Sequence, residues 1–163
     1  MSRVFWFRKD LRLQDNEALT RCAEAAIADD GSPVFGCFTF QKNAFESLTG
    51  IRQHSLVASL ESLSQSMSDS LHILEGESAD AIVKFTKQND VESIHATQSF
   101  DPAGIAEQVQ VAKALEAIGK QLVLEGSNYA VTPGAVVKPT DGSAYRVYTP
   151  FYKAWFEIGW PEP

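Results

Sequence analysis

The side chains most able to do chemistry sit in one short run. After Val4-Phe5-Trp6-Phe7 the sequence turns ionic at Arg8, Lys9, Asp10 and Arg12, with Asp15 close behind. Two readings of this run stand side by side. Arg8 or Arg12 could pair with Asp10 or Asp15 and simply tie the loop down, or the loop could meet a ligand or an interface. The run contains no glycine, so it is neither a GxGxxG turn nor a Walker loop, and a pyrophosphate could not approach its backbone. The other candidates are dispersed. His54, His72 and His95 lack a His-x3-His partner, and Cys22 and Cys37 lack a Cys-x2-Cys partner, so structural roles are expected rather than metal ligation. Cys22 falls on the apolar face of a helical pattern and Cys37 in the middle of a strand pattern, where a free thiol packs as a small hydrophobe. No GxSxG elbow occurs. Glu61, Glu107 and Glu116 fall on polar helix faces, where carboxylates are expected to be solvated.

The elements that must position the ionic run follow from the apolar periodicity. Short apolar stretches at Val4–Phe7, Val34–Phe40, His72–Leu74, Ser93–Thr97 and Gln121–Leu124 read as five strands. Longer 3.6-period patterns separate them. Asp15 or Asn16 can cap a helix with Leu19, Cys22, Ala23, Ala26 and Ile27 on one face, ending at Gly31. After a loop, Leu56, Leu60, Leu63 and Met67 recur at helical spacing. Ser78 is expected to cap a helix carrying Ile82, Val83 and Phe85. Asp101-Pro102 reads as a cap with a first-turn proline, opening a helix with Ile105, Val109, Ala112, Leu115 and Ile118 that stops at Gly119.

Strands alternating with helices of this length pair in parallel, and near-continuous apolar strands are covered on both faces. The fold class is α/β: an open, doubly wound, Rossmann-like sheet of five parallel strands. The first strand is expected at its centre, so that Arg8 to Asp15 emerges where ligands bind open α/β sheets. Residues 1–125 form this sheet domain. Residues 126–147, rich in Gly, Pro, Ser and Thr, read as loops and short extended pieces, and 148–163 is dense in aromatics.

Bulk properties bound the function. The 163 residues are 44% hydrophobic, with a formal net charge of −7, which argues against strong nonspecific nucleic-acid binding by this chain alone. No apolar run is long enough to span a bilayer, the charges at Arg8 to Asp10 interrupt any signal-peptide core, and two cysteines make no disulfide framework. A cytoplasmic protein is expected.

The stretch FWFRKDLRLQDNEAL (residues 5–19) resembles the N-terminal signature of the DNA photolyase/cryptochrome family. PGAVVKPTDGSAYRVYTPFYKAW (residues 133–155) resembles a second family segment, and Gly50-Ile51-Arg52 and Gly76-Glu77-Ser78 align in order between them. The resemblance covers nearly the whole chain and implies an N-terminal α/β module. In the family a helical C-terminal domain carries FAD and takes up damaged DNA, and light-excited reduced FAD splits pyrimidine dimers. That domain is the implied partner. The chain would be inactive without it, with Trp160-Pro161-Glu162-Pro163 where the connection would begin. The same module occurs in cryptochrome-type photoreceptors, and a stand-alone small-molecule binding module is the remaining alternative.

The resemblance also implies an antenna-chromophore pocket at the strand tips. The matching positions are Arg8, then Cys37-Phe38-Thr39, then Ser99-Phe100-Asp101. Phe40-Gln41 stands where the family often has Asp-Pro, and Ala103-Gly104-Ile105-Ala106 replaces a charged run. The Asn-Glu pair that holds a folate antenna falls at Ala103 and Gly104, so folate binding of that kind is not expected. A flavin or deazaflavin antenna would use backbone groups of residues 37–39 and stack on Phe38. The competing expectation is a crevice filled by its own side chains. The aromatic segment, Tyr148 to Trp160, is expected to pack on the helical domain, or to drive self-association where that partner is absent.

Overall fold

A computed structural model describes residues 2–68 and 70–160, so Pro161 to Pro163, part of the expected interdomain connection, lie outside the described residues. The strands are β1 (Ser2–Phe7), β2 (Val34–Phe40), β3 (Leu71–Glu75), β4 (Val91–Gln98) and β5 (Gln121–Ser127). All pair in parallel, in the order β3-β2-β1-β4-β5. β1 is central, as its apolar run requires. The chain winds outward from it through β2 to β3, then crosses back to β4 and β5. The sheet runs to Ser127, slightly past the boundary read at 125.

Both faces are covered. α1 (Glu17–Ala28) and α3 (Gly50–Ser66) flank one face, and α4 (Ser78–Gln88) and α5 (Pro102–Glu116) the other, with a short α2 (Lys42–Glu46) before α3. Strand alternation divides β1 between two cores. Phe5 and Phe7 join Ala18, Cys22, Phe38, Leu63 and Leu71 on the α1/α3 side. Val4 and Trp6 join Cys37, Ile82, Phe85, Ile94, Val111 and Leu115 on the α4/α5 side. Trp6, Phe5 and Phe7 are fully buried, each contributing on the order of 1.5–3 kcal/mol.

Several expectations about faces and ends are corrected. Asn16 caps α1 through its side chain, which accepts from the Leu19 amide at 3.1 Å. The buried face of α1 is Ala18, Cys22 and Ala26, and Ile27 is 74% exposed. Ser78 does not cap α4. Glu77 holds that position, and Ser78 lies inside the first turn with its hydroxyl committed elsewhere. Asp101 does cap α5, accepting from the Gly104 amide at 3.0 Å with Pro102 behind it. The buried face of α5 is Gly104, Gln108, Val111 and Leu115, while Ile105 and Val109 are exposed. The stretch read as a loop after β2 contains α2. The aromatic segment forms a helix, α6 (Tyr148–Ile158), with no buried residue. Among the described residues no helix is long and apolar enough to cross a membrane.

Candidate functional site

The ionic run after β1 is held in place by two side chains. Asp10, 6% exposed, accepts a close hydrogen bond from the Thr97 hydroxyl and a longer one, 3.4 Å, from Asn16 Nδ2. Asn16 Nδ2 also reaches the Arg12 carbonyl at 3.2 Å. The loop between β1 and α1 is thereby fastened to β4, and α1 starts from it. Arg12 pairs with Asp15 at 3.8 Å, as the loop-pairing reading requires, but both are solvent-exposed, and such pairs contribute little.

The Arg8 amide reaches Asp10 Oδ1 at 3.5 Å, but the guanidinium makes no salt bridge with Asp10. That guanidinium lies over the Trp6 ring, 4.7 Å from the centroid, and turns inward across the sheet tips. Nη2 donates to the Thr97 carbonyl at close range and to Gln108 Oε1 at 3.4 Å, and Nη1 donates to the Gly104 carbonyl at 3.4 Å. Glu107 Oε2 lies 3.8 Å away. Burial pulls the Arg8 pKa below its ordinary value, opposed by Glu107, Asp10 and Asp101; an arginine nonetheless keeps its charge. The crevice between β1 and β4, where the strand order reverses, is therefore occupied by the chain's own side chains.

Gly104 is part of this clamp. A Cβ there would lie 2.6 Å from Ser99 Cβ and 2.8 Å from Asp101 Oδ2. The close approach lets the first turn of α5 offer its carbonyl to Arg8. It also leaves no room for a side chain at this position.

An open cavity of about 280 Å³ lies beside the clamp, displaced toward β2. Phe38, Phe40, Phe45, Leu48 and Leu56 wall it, and Arg8, Thr39, Gln41, Ser99 and Glu107 bring polar atoms to its margin. A relay runs beneath. Ser78 Oγ donates to Glu107 Oε1 at 2.6 Å and accepts from Gln41 Nε2 at 3.1 Å. It lies 3.0 Å from Thr39 Oγ1, which accepts from Trp6 Nε1 at 3.2 Å. Glu107, expected to be a solvated helix carboxylate, is instead fixed by α4 and β1. The cavity is an apolar slot with a donor (Arg8) and an acceptor (Glu107) at one edge, suited to a flat heterocycle carrying both kinds of polar atom.

The structure brings together four of the positions read from the sequence: Arg8, Phe38, Thr39 and Ser99 all line this cavity. Cys37 stands beneath it, its side chain in the α4/α5 core and its thiol pKa pushed up by burial. Phe100 and Asp101 line a neighbouring polar groove of about 460 Å³. There Phe100 meets Tyr129 edge-on, and Asp101 pairs with Lys9 at 2.6 Å. That pair and the Gly104 amide hold the Asp101 carboxyl below its usual range. Gln41, Phe45 and Glu107 were not foreseen. The acid six positions past the Asp101 cap is the one sequence signal that places Glu107 on the exposed first turns of α5.

A family model described as DNA photolyase matches residues 3–163. A deoxyribodipyrimidine photo-lyase of a Synechococcus species is 28% identical over 165 residues, covering 98% of this chain and 33% of that protein. The structure of a class III photolyase from Agrobacterium tumefaciens aligns with a TM-score of 0.78 at 26% identity, over 94% of this chain and 31% of that one. An archaeal photolyase from Sulfolobus tokodaii, solved with two FAD molecules, aligns with a TM-score of 0.80 at 22% identity, over 100% of this chain and 36% of that one. The chain spans about a third of the length of these relatives, matching their N-terminal part.

Proposed function

The chain belongs to the DNA photolyase family, and from that premise we propose that it acts as a light-harvesting module holding a flavin-type chromophore in the cavity at the tips of β1, β2 and β4. The observation that carries the reading is the pairing of an aromatic slot with the Arg8/Glu107 edge. The Sulfolobus tokodaii structure, whose two FAD molecules imply a novel light-harvesting cofactor, supports a flavin in this role.

The residues present fit such a ring. Phe38, Phe40 and Phe45 offer apolar faces, Arg8 and Gln41 can donate to ring carbonyls, and Glu107 can accept from a ring N–H. Buried polar atoms of a ligand left without partners would cost about 1–3 kcal/mol each, and these groups meet that demand at one edge. A flavin held there supplies blue-light absorption. The chain's residues orient it, exclude water from its apolar face, and keep the Glu107 carboxyl beside Arg8. A folate held from positions 103 and 104 does not fit, because Ala103 ends at its methyl group and any side chain at 104 would strike Ser99.

In the whole protein, we place this module beside a helical domain that binds FAD, which would receive the excitation and repair a pyrimidine dimer in damaged DNA. Residues 2–127 form the light-harvesting unit, and 128–163 lead toward that partner. The test is titration of the full chain with FMN and FAD, followed by flavin fluorescence anisotropy, with a reduced folate in parallel. Saturable flavin binding in the micromolar range, weakened about ten-fold by Phe45→Ser on the half-exposed wall, is expected, with no folate binding. No anisotropy change with either flavin at millimolar concentration would overturn the reading.

A further inference from the structure

The slot beside the Arg8 clamp is walled by a narrow choice of side chains. Its aromatic faces are Phe38, Phe40 and Phe45, rings that are hard to oxidise. Among the described residues that line it there is no tryptophan, tyrosine, histidine, cysteine or methionine. The chain does not lack such groups, since it has three tryptophans and four tyrosines. Trp155, Trp160, Tyr145, Tyr148 and Tyr152 all belong to the C-terminal segment, and Tyr129 lines the neighbouring polar groove. Cys37 stands beneath the slot, but burial keeps its thiol protonated, and a thiol is a far poorer donor than a thiolate.

Trp6 is the exception. It is fully buried, its Nε1 donates to Thr39 Oγ1 at 3.2 Å, and the Arg8 guanidinium covers its face. Arg8 and Thr39 both line the slot, so one side chain separates the indole from whatever the slot holds. A flavin raised to its excited state is a strong one-electron oxidant, and a nearby indole is its natural donor. That transfer would spend the excitation and leave an indole radical cation. Arg8 opposes it. Its positive charge lies 4.7 Å from the centroid of the ring that would carry the hole, and its side chain is only 7% exposed, where water screens little. On the slot side Glu107, 3.8 Å from the guanidinium, offsets the same charge. The pair therefore resists a hole on Trp6 without equally favouring an electron on the ring in the slot. The indole N–H meets a neutral hydroxyl, and the relay onward through Ser78 to Glu107 could take its proton only after an electron had left.

We propose that the slot protects an excited ring from electron transfer: phenylalanine walls withhold donors, and Arg8 guards the one indole behind them. This rests on the flavin reading above and supplies what that reading needs, an excited state that survives long enough to be passed on. Arg8 acts here through Trp6, by its charge, and apart from any hydrogen bond it makes to the ring.

Time-resolved fluorescence of FMN at saturating concentration on the full chain tests this, with Phe45→Trp, Trp6→Phe, Arg8→Gln and the Arg8→Gln/Trp6→Phe double variant. Glutamine removes the charge and keeps an amide donor, and bound FMN offsets part of the stability lost; circular dichroism checks folding. The expected wild-type lifetime is within about two-fold of free FMN and is unchanged by Trp6→Phe. Phe45→Trp, which sets an unguarded indole in the wall, should shorten it about ten-fold, and Arg8→Gln about three-fold or more. The double variant should regain the wild-type lifetime. Absence of saturable FMN binding would overturn the flavin reading and this inference with it. FMN that binds but is quenched in the wild type would overturn the inference alone. So would a lifetime indifferent to Phe45→Trp or to Arg8→Gln, or a loss in Arg8→Gln that the double variant does not restore. Should Arg8→Gln not fold, the wild-type, Trp6→Phe and Phe45→Trp lifetimes decide.

Discussion

Replacing Arg8 by Met separates two accounts of the ionic run. If Arg8 serves as an ion-pair partner of Glu107, loss of either side chain should cost about the same. The geometry says otherwise. The Arg8 side chain is 7% exposed and Glu107 30%, and the pair is 3.8 Å apart, close to the limit for direct contact. The close bond from Nη2 to the Thr97 carbonyl is charge-assisted and worth about 1.5–3 kcal/mol. The two longer bonds, to Gly104 and Gln108, add roughly 0.5–1 kcal/mol each, and the Trp6 ring contact about 0.5–1 kcal/mol. Methionine keeps most of the stem's packing, so Arg8→Met should destabilise the chain by about 3–5 kcal/mol. Glu107→Gln keeps an acceptor for Ser78 and loses only a partly solvated pair, about 1 kcal/mol or less. Equilibrium unfolding in urea measures both, as a shift in midpoint at constant slope. A cost below 1 kcal/mol for Arg8→Met, or a larger cost for Glu107→Gln, would refute the carbonyl-clamp account.

Three other outcomes follow from the same packing. A Cβ at position 36 would lie 2.5 Å from Met67 Cε and 2.9 Å from the Phe7 ring; Gly36→Ala should cost about 1–3 kcal/mol by calorimetry, and less when Met67→Ala makes room. Arg3 donates to Ser93 Oγ at 2.8 Å, so the Ser93 hydroxyl is free to donate to His95 Nε2 at 3.0 Å and favours the neutral imidazole. Burial first, then Arg3, lowers the His95 pKa from 6.5. The unfolded chain therefore takes up the proton more readily, and this contribution to stability is complete above pH 6.5 and lost as pH falls from there through the lowered folded value. His95→Gln should flatten that part of the pH–stability curve, and an unchanged slope would contradict the assignment. Burial also raises both thiols, Cys22 to about 12, so neither should react with a thiol reagent at pH 8 until the chain unfolds, when both should react.

Much of the sheet was legible because its signal is local. In β1, Val4 and Trp6 alternate with Phe5 and Phe7, and all four are apolar because helices cover both faces. The caps at Asn16 and Asp101 are side-chain chemistry within three residues of the amides they accept from. What failed depended on distant partners. Periodicity put Ile105 and Val109 inside, but α5 turns Gly104 and Gln108 inward because Arg8 draws on a carbonyl and an amide there. Ser78 looked like a cap, yet Thr39 and Gln41 at the end of β2 and Glu107 on α5 converge on its hydroxyl. In α1 the buried stripe is Ala18, Cys22 and Ala26 at four-residue spacing, and Ile27, one position past Ala26, turns to solvent. α6 carries a helical ring spacing at 148, 152, 155 and 156, which its proline and aromatic content obscured.

The account rests most heavily on the slot between the tips of β1 and β2, and a crystal structure of the chain grown in saturating FMN examines it directly. The prediction is a ring seated against Phe38 and Phe45 with its polar edge toward Arg8 and Glu107. Crystals in which the slot holds only water, or in which the ring lies elsewhere on the chain, would contradict it.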